Sequence, residues 1–259
     1  MIPLAKPSLG EAEAHAAGET ILSGWVTQGP KVKAFEEAFA ERIGASHATA
    51  VSSCTTALHL AFLAVGVKPG DLVVTVSHSF IATANAVRMC GAEPLFVDID
   101  PETYNMDPNA LERFLGERCE VREDGLYFAD ANALAVGESP LATLGERAYG
   151  RVAAICPVHQ IGIPAELSRI LPIARSYGLP VVEDAACAIG SEARYDDRFE
   201  PIGKPHGDIA CFSFHPRKVI TTGDGGMITT NNPEFDQAFR LLRQHGMSVT
   251  DTARHGAGK

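Results

Sequence analysis

An α/β fold, with helices flanking a mostly parallel sheet, is what this sequence predicts, and three observations predict it. Short β-rich runs alternate with helix-compatible stretches along the chain, the rhythm of repeated βαβ units. Several of these runs are apolar throughout rather than alternating, as in strands covered on both faces. With 259 residues, 46% of them hydrophobic, the chain can bury a sizeable core and has the size of one large domain or two small ones.

Helix-compatible stretches at 10–22 and 31–43 precede a short strand that gives way to "SSCTT" (52–56), and a helix is expected over 55–66. "DLVVTV" (71–76) and "EPLFVDI" (93–99) read as strands, with a helix between them at 80–90. The stretch 117–150 breaks the rhythm with mixed charge, glycines and no clean period, so a surface excursion with a hairpin is expected. Three more strands are expected in "RVAAICPV" (151–158), "LPVVEDA" (179–185) and "DIACFSF" (208–214), and helices at 165–177 and 233–245. The last residues, "TDTARHGAGK", carry neither pattern and are expected to fray.

Composition narrows the function classes. No run of eighteen apolar residues occurs, and the opening "MIPLAKPSLGEAEAH" lacks a basic segment followed by an apolar one, so the cytoplasm is the default and no membrane association is expected. A formal net charge of −10 argues against a general nucleic-acid surface while allowing a local basic pocket for a phosphorylated ligand. The six cysteines, at 54, 90, 119, 156, 187 and 211, have no CxxC spacing and no paired histidines beside them. They read as reduced, mostly buried thiols, not as a zinc site or a disulfide framework.

In such a sheet ligands collect beyond the carboxyl ends of parallel strands, and three strand ends carry polar residues. In "AVSSCTTALHLA" (50–61) a strand gives way to hydroxyls and free N–H groups at a helix start, which suit a phosphate but also make an ordinary N-cap. "VVEDAACAIGS" (181–191) ends an apolar strand with Glu183 and Asp184. A buried acid there must be compensated, whether by a cationic ligand, a helix cap or a neighbouring arginine. In "CFSFHPRKVITTGDGGMITT" (211–230) one lysine, Lys218, sits between a strand-like run and a glycine-rich turn, and a covered lysine becomes nucleophilic where a solvated one does not. Together the three supply phosphate donors, an acid for a cationic heterocycle and an amine for a Schiff base, the set that pyridoxal phosphate requires.

The stretches "SGWVTQGPKVKAFEEAFAERIGASHATAVSSCTTALHLAF", "SHSFIATANAVRMCGAEPLFVDIDPETYN", "PVHQIGIPAEL", "VVEDAACAIGS" and "FSFHPRKVITTGDGGMITT" resemble the DegT/DnrJ/EryC1/StrS family of nucleotide-sugar aminotransferases, in the family's motif order from about residue 2 to residue 247. The resemblance implies the large domain of a fold-type I pyridoxal-phosphate transferase over residues 1–247, with a mixed, mostly parallel sheet, and a tail at 248–259. It puts the cofactor-bearing lysine on Lys218 and the acid of the pyridine nitrogen on Asp184. The phosphate turn falls on Thr55 and Thr56, joined by Ser213, and the ring-stacking aromatic on Phe80. Cys187 stands where many members have Gln or His near the cofactor O3′ oxygen, so that hydrogen bond is in question.

The resemblance also implies glutamate as amino donor, a nucleotide-activated keto-sugar as acceptor, and a homodimer whose second subunit completes each site. Members continue for roughly another hundred residues as a smaller domain, the scale of one compact unit, so that domain is expected to be missing here. His159 and His215 read as structural histidines rather than groups behind the site, and Glu183 and Asp224 as structural or turn residues. Two rival readings are a sugar dehydratase relative, in which histidine replaces the lysine, and a non-catalytic cofactor-binding regulator or scaffold. Lys218 opposes the first, and the full set of site residues opposes the second.

Overall fold

Strands form where β-branched and apolar residues are covered on both sides, and helices where the chain offers a cap and one apolar stripe. The computed structural model describes residues 6–144, 149–195 and 197–248, so most of the expected frayed tail, 249–259, lies outside the described residues. In chain order the first half contains helices α1 (Glu11–Leu22) and α2 (Pro30–Ile43), strand β1 (His47–Val51), α3 (Cys54–Ala64), β2 (Leu72–Val76), α4 (Ala82–Met89), β3 (Glu93–Val97) and α5 (Pro108–Arg118). The rest comprises β4 (Cys119–Arg122), β5 (Gly125–Phe128), β6 (Arg151–Ile155), α6 (Leu167–Ser176), β7 (Val182–Asp184), β8 (Glu192–Tyr195), β9 (Arg198–Pro201), β10 (Ile209–Ser213), β11 (Gly226–Thr230) and α7 (Pro233–Leu242).

The strands β1-β11-β10-β7 and β3-β2-β6 join through parallel bridges, Ile155 to Val181 and Val158 to Asp184, into one sheet. Within it β11 runs antiparallel to both its neighbours, β1 and β10, and the other pairings are parallel. The sheet is therefore mixed and mostly parallel, as expected. All residues of β2, β10 and β11 are buried, which is why these strands read as unbroken apolar runs. Helices cover the sheet with Leu58, Ala61 and Phe62 of α3, Phe39 and Ile43 of α2, and Ile170 and Leu171 of α6.

The carboxyl ends of β1, β2, β6, β7 and β10 share one edge of the sheet. Because β11 is reversed, its first residue, Gly226, meets Ser213 at the end of β10 and Val51 at the end of β1. A Cβ at Gly226 would stand 2.6 Å from the carbonyl carbon and oxygen of Ser53, so only glycine lets the start of α3 come this close.

The irregular stretch at 117–150 is anchored at the opposite edge. Its hairpin, β4 and β5, adds antiparallel to the first residues of β6 through Leu126 to Val152 and Tyr127 to Arg151. Beyond it Ser139 donates to Glu93 (2.9 Å) and Leu141 is buried. None of its described residues lines the cavity at the carboxyl edge.

Candidate active site

At that carboxyl edge lies a cavity of about 450 Å³ lined by Ser53, Thr55, Phe80, Asp184, Cys187, Ser213 and Lys218, among others. Asp184 forms its floor. It ends β7 between β6 and β10, pairing in register with Cys211, and is 5% exposed. Its Oδ2 accepts from the Thr83 hydroxyl (2.7 Å) and its Oδ1 from the Ala186 N–H (3.1 Å). Since the single Thr83 proton is committed there, the Ser79 hydroxyl donates to Thr83 (2.6 Å).

Neutral donors are thus all that hold this carboxylate, and no described arginine, lysine or histidine forms an ion pair with it. Around it stand the thiols of Cys54, Cys156 and Cys211, which burial first and the charge of Asp184 second push well above their ordinary pKa. A buried anion surrounded by neutral groups leaves an electrostatic demand that a cation in the cavity would meet.

At the second strand end the N-cap is formed. Ser53 caps α3, its Oγ accepting from the Thr56 N–H (3.1 Å), while the Thr56 hydroxyl contacts Ser52 (3.0 Å) and Ser53 (3.1 Å). Thr56 is therefore engaged in the cap and is not among the residues that line the cavity. Thr55 does line it, and the N–H groups of Cys54 and Thr55 have no partner among the described residues. Those N–H groups lie at the positive end of an eleven-residue helix, where anions are favoured. Ser213, also at the cavity, accepts from the His215 N–H (3.3 Å).

Lys218 projects from a loop tied down by its own hydrogen bonds. The Phe214 N–H donates to the Gly225 carbonyl (2.9 Å), the Thr221 hydroxyl to the Phe214 carbonyl (2.7 Å) and the Lys218 N–H to the His215 carbonyl (2.8 Å). The Lys218 amine, half-buried, donates to Cys187 Sγ at 3.0 Å. Asp224 accepts from the Gly225 N–H (2.9 Å), the turn role expected of it, and His215, expected as a structural histidine, is exposed with Nδ1 accepting from the Arg217 N–H (3.2 Å); both also border the cavity. Phe80 stands over the site at 79% exposure, a free aromatic face.

Two residues, Thr83 and Gln160, were not singled out from the sequence, nor was the pairing of His159 with Glu183. Thr83, the clamp on Asp184, closes the same "SFIAT" stretch that carries Phe80. Gln160 lines the cavity and donates to His78 Nδ1 (2.7 Å). Behind Asp184, His159 and Glu183 pair at 2.9 Å, at 0% and 1% side-chain exposure. The Ala165 N–H donates to His159 Nδ1 (3.0 Å), so the ring carries its proton on Nε2 and gives it to Glu183. His159 is thereby a satisfied structural histidine.

With this geometry in hand, residues 7–258 match the family model described as the DegT/DnrJ/EryC1/StrS aminotransferase family. The chain belongs to that family. Among its relatives, the spore coat polysaccharide biosynthesis protein SpsC of Bacillus subtilis is 38% identical over 256 residues, covering 99% of this chain and 56% of SpsC. Among solved structures, DesI, determined in the presence of its TDP-sugar product, aligns at TM-score 0.74 and 27% identity, covering 96% of this chain and 54% of DesI. NtdA from Bacillus subtilis, solved with its cofactor PMP bound, aligns at TM-score 0.72 and 29% identity, over 94% of this chain and 48% of NtdA. The chain spans about half the length of these relatives. Its fold is that of the large domain of a fold-type I transferase, and pyridoxal 5′-phosphate is the cofactor of the family. No helix among the described residues is long and apolar enough to cross a membrane, and no described cluster of His, Cys, Asp and Glu could hold a metal ion.

Proposed function

We propose that this chain serves the transfer of an amino group, from glutamate, to a keto group of a nucleotide-activated sugar. The observation that carries this reading is the convergence of Lys218, Asp184 and the open N-terminus of α3 on one cavity. The residues fit pyridoxal phosphate on their own chemistry: an uncompensated buried carboxylate for a cationic ring nitrogen, unpartnered N–H groups for a phosphate, and an amine for the aldehyde. The bound cofactor supplies an electron sink that makes the Cα–H bond of an amino acid acidic.

The chain's own residues do the rest. Asp184, oriented by Thr83 and Ala186, would keep a proton on the ring nitrogen by stabilising the positive charge there. The N–H groups of Cys54 and Thr55, with the hydroxyls of Thr55 and Ser213, would hold the phosphate, and Phe80 would offer its face to the ring. Lys218 would anchor the cofactor and, freed by the amino donor, would take up at Nζ the proton lost from the donor's Cα and deliver it again as an acid. Cys187, on the cavity wall, would stand where the family resemblance puts an amide or imidazole near the O3′ oxygen. The sugar-nucleotide class is supported by DesI and its TDP-sugar product. The reading includes a homodimer in the cytoplasm, with residues 1–247 as one cofactor-binding unit. Purified protein given glutamate should convert the cofactor's visible band to that of its amine form, and nucleotide keto-sugars should restore it. Protein that binds the cofactor but leaves its spectrum unchanged with every amino donor would overturn the reading.

A further inference from the structure

The contact between Lys218 and Cys187 has chemistry that transamination does not use. Sγ and Nζ stand 3.0 Å apart on the wall of an open cavity, and both side chains are only half-buried. Small oxidants therefore reach the sulfur, and a potential nucleophile already touches it. The amine is not searching for its partner, because the 214–225 loop that carries it is closed by the hydrogen bonds of Phe214, Thr221 and Lys218 itself. The other five thiols lack this setting. Cys54, Cys156 and Cys211 are buried, and burial pushes the thiols of Cys90 and Cys119 up to about 11, where little reactive thiolate exists at neutral pH.

We propose that Cys187 and Lys218 form an oxidisable pair, in which a peroxide converts the thiol to a sulfenic acid and the lysine amine captures it as a reversible sulfur–nitrogen cross-link. In the first step Sγ attacks a peroxide oxygen and the O–O bond breaks. Sulfur loses two electrons, the peroxide is reduced to water, and Cys187 carries an S–OH group. In the second step the Nζ lone pair attacks that sulfur, the S–O bond breaks, and the leaving hydroxide takes a proton from nitrogen to depart as a second water. The net change is the loss of two hydrogen atoms and the gain of one S–N bond, and two equivalents of a thiol reductant reverse it. The cross-link itself depends only on the two side chains. Its consequence, that oxidised protein cannot take up cofactor, rests on Lys218 being the cofactor anchor as proposed above.

The test is peptide mapping by mass spectrometry of cofactor-stripped protein exposed to hydrogen peroxide. The expected product joins the peptides of Cys187 and Lys218 at a mass lighter than their sum by two hydrogens, and a thiol reductant separates them. Cofactor uptake, read by absorbance, should be lost on oxidation and regained on reduction. Protein loaded with cofactor beforehand should not form the cross-link, because Nζ is occupied. Lys218→Arg and Cys187→Ser, checked for folding by circular dichroism, should each abolish it. Recovery of Cys187 as a sulfinic acid or a disulfide, with the Lys218 peptide unchanged, would overturn the proposal. Borohydride fixation of unoxidised, loaded protein separates this from a failure of the cofactor assignment: a label away from Lys218 sinks the assignment alone, whereas a label on Lys218 without a peroxide cross-link sinks the pair alone.

Discussion

Two polar pairs are built on the residues either side of Asp184, and they differ in almost every respect but distance. Glu183 meets His159 at 2.9 Å with both side chains sealed in the core, and the imidazole is held at both nitrogens. Cys187 meets Lys218 at 3.0 Å on a cavity wall, where neither partner is locked by a second group on the same atom. The alternation of side chains along a strand sends Glu183 and Asp184 to opposite faces of β7, so one acid stiffens the sheet while the other serves the cavity. Burial with every proton assigned fixes a structure, and the same contact left half-open keeps its chemistry available.

Removing the open pair should have the largest effect. Lys218→Ala is expected to abolish the borohydride-fixable cofactor adduct and the yellow colour outright while leaving the fold intact, since the side chain is only half-buried. A variant that kept the adduct would place the anchor elsewhere. Removing the sealed pair should do the reverse. His159→Ala takes from Glu183 its partner and leaves a buried carboxylate unmatched, at a cost of about 3–5 kcal/mol in denaturant unfolding. Stability close to that of the parent would show that the pair is not the structural element described.

Asp184 shares the burial of the first pair and the cavity of the second. In Asp184→Asn the Thr83 hydroxyl and the Ala186 N–H can still be accepted in part, so cofactor should remain bound. The half-reaction with the amino donor should slow by about a hundred- to a thousand-fold, because an amide does not stabilise a positive ring nitrogen. Stopped-flow rates equal to those of the parent would mean that another acid serves the ring.

Much of this was legible in the sequence, for physical reasons that vary by element. The runs "DLVVTV" and "DIACFSF" declare themselves because both faces of β2 and β10 are covered. Asp184 and Lys218 stand out because an acid or amine at the end of such a run has no cheap place to go. Helix α5 passed unnoticed although Asp107 caps it and Pro108 opens it, since its apolar residues are few among charges. The β8–β9 hairpin alternates polar and apolar residues, but over only four partly exposed residues per strand, too short a run to stand out. Long-range partners were the least visible: nothing in the chain's order ties Thr83 to Asp184 or His159 to Glu183, because only the parallel order of β2, β6 and β7 brings those loops together. Thr55 and Thr56 looked alike in sequence and separated only when Ser53 took the Thr56 N–H as its cap.

That separation gives a smaller but sharper test of the fixed framework. Gly226→Ala forces a methyl group within 2.6 Å of the Ser53 carbonyl and 2.8 Å of the Cys54 nitrogen. Backbone on both sides must shift, which costs about 1–3 kcal/mol of stability by overpacking. Because the displaced atoms lead directly into the N–H groups of the proposed phosphate site, cofactor affinity should fall with it. A loss of stability without a loss of affinity would remove the α3 N-terminus from the cofactor site.

The smallest effect is expected at the rim, where the comparison between sealed and open groups reaches its limit. Phe80 is 79% exposed, so truncating it exposes little that folding had covered, and the stability of Phe80→Ala should stay within about 0.5 kcal/mol of the parent. The ring nevertheless borders the cavity together with Asp184 and Lys218. If it lies against the pyridine ring, its loss should weaken cofactor binding by about 0.5–1.5 kcal/mol, the worth of an aromatic contact, and Phe80→Trp should recover the loss. Equilibrium titration of the variant, with unfolding measured in parallel, separates the two quantities. An affinity equal to that of the parent would free Phe80 from the cofactor and leave its exposed face to be explained by something else that packs on the rim.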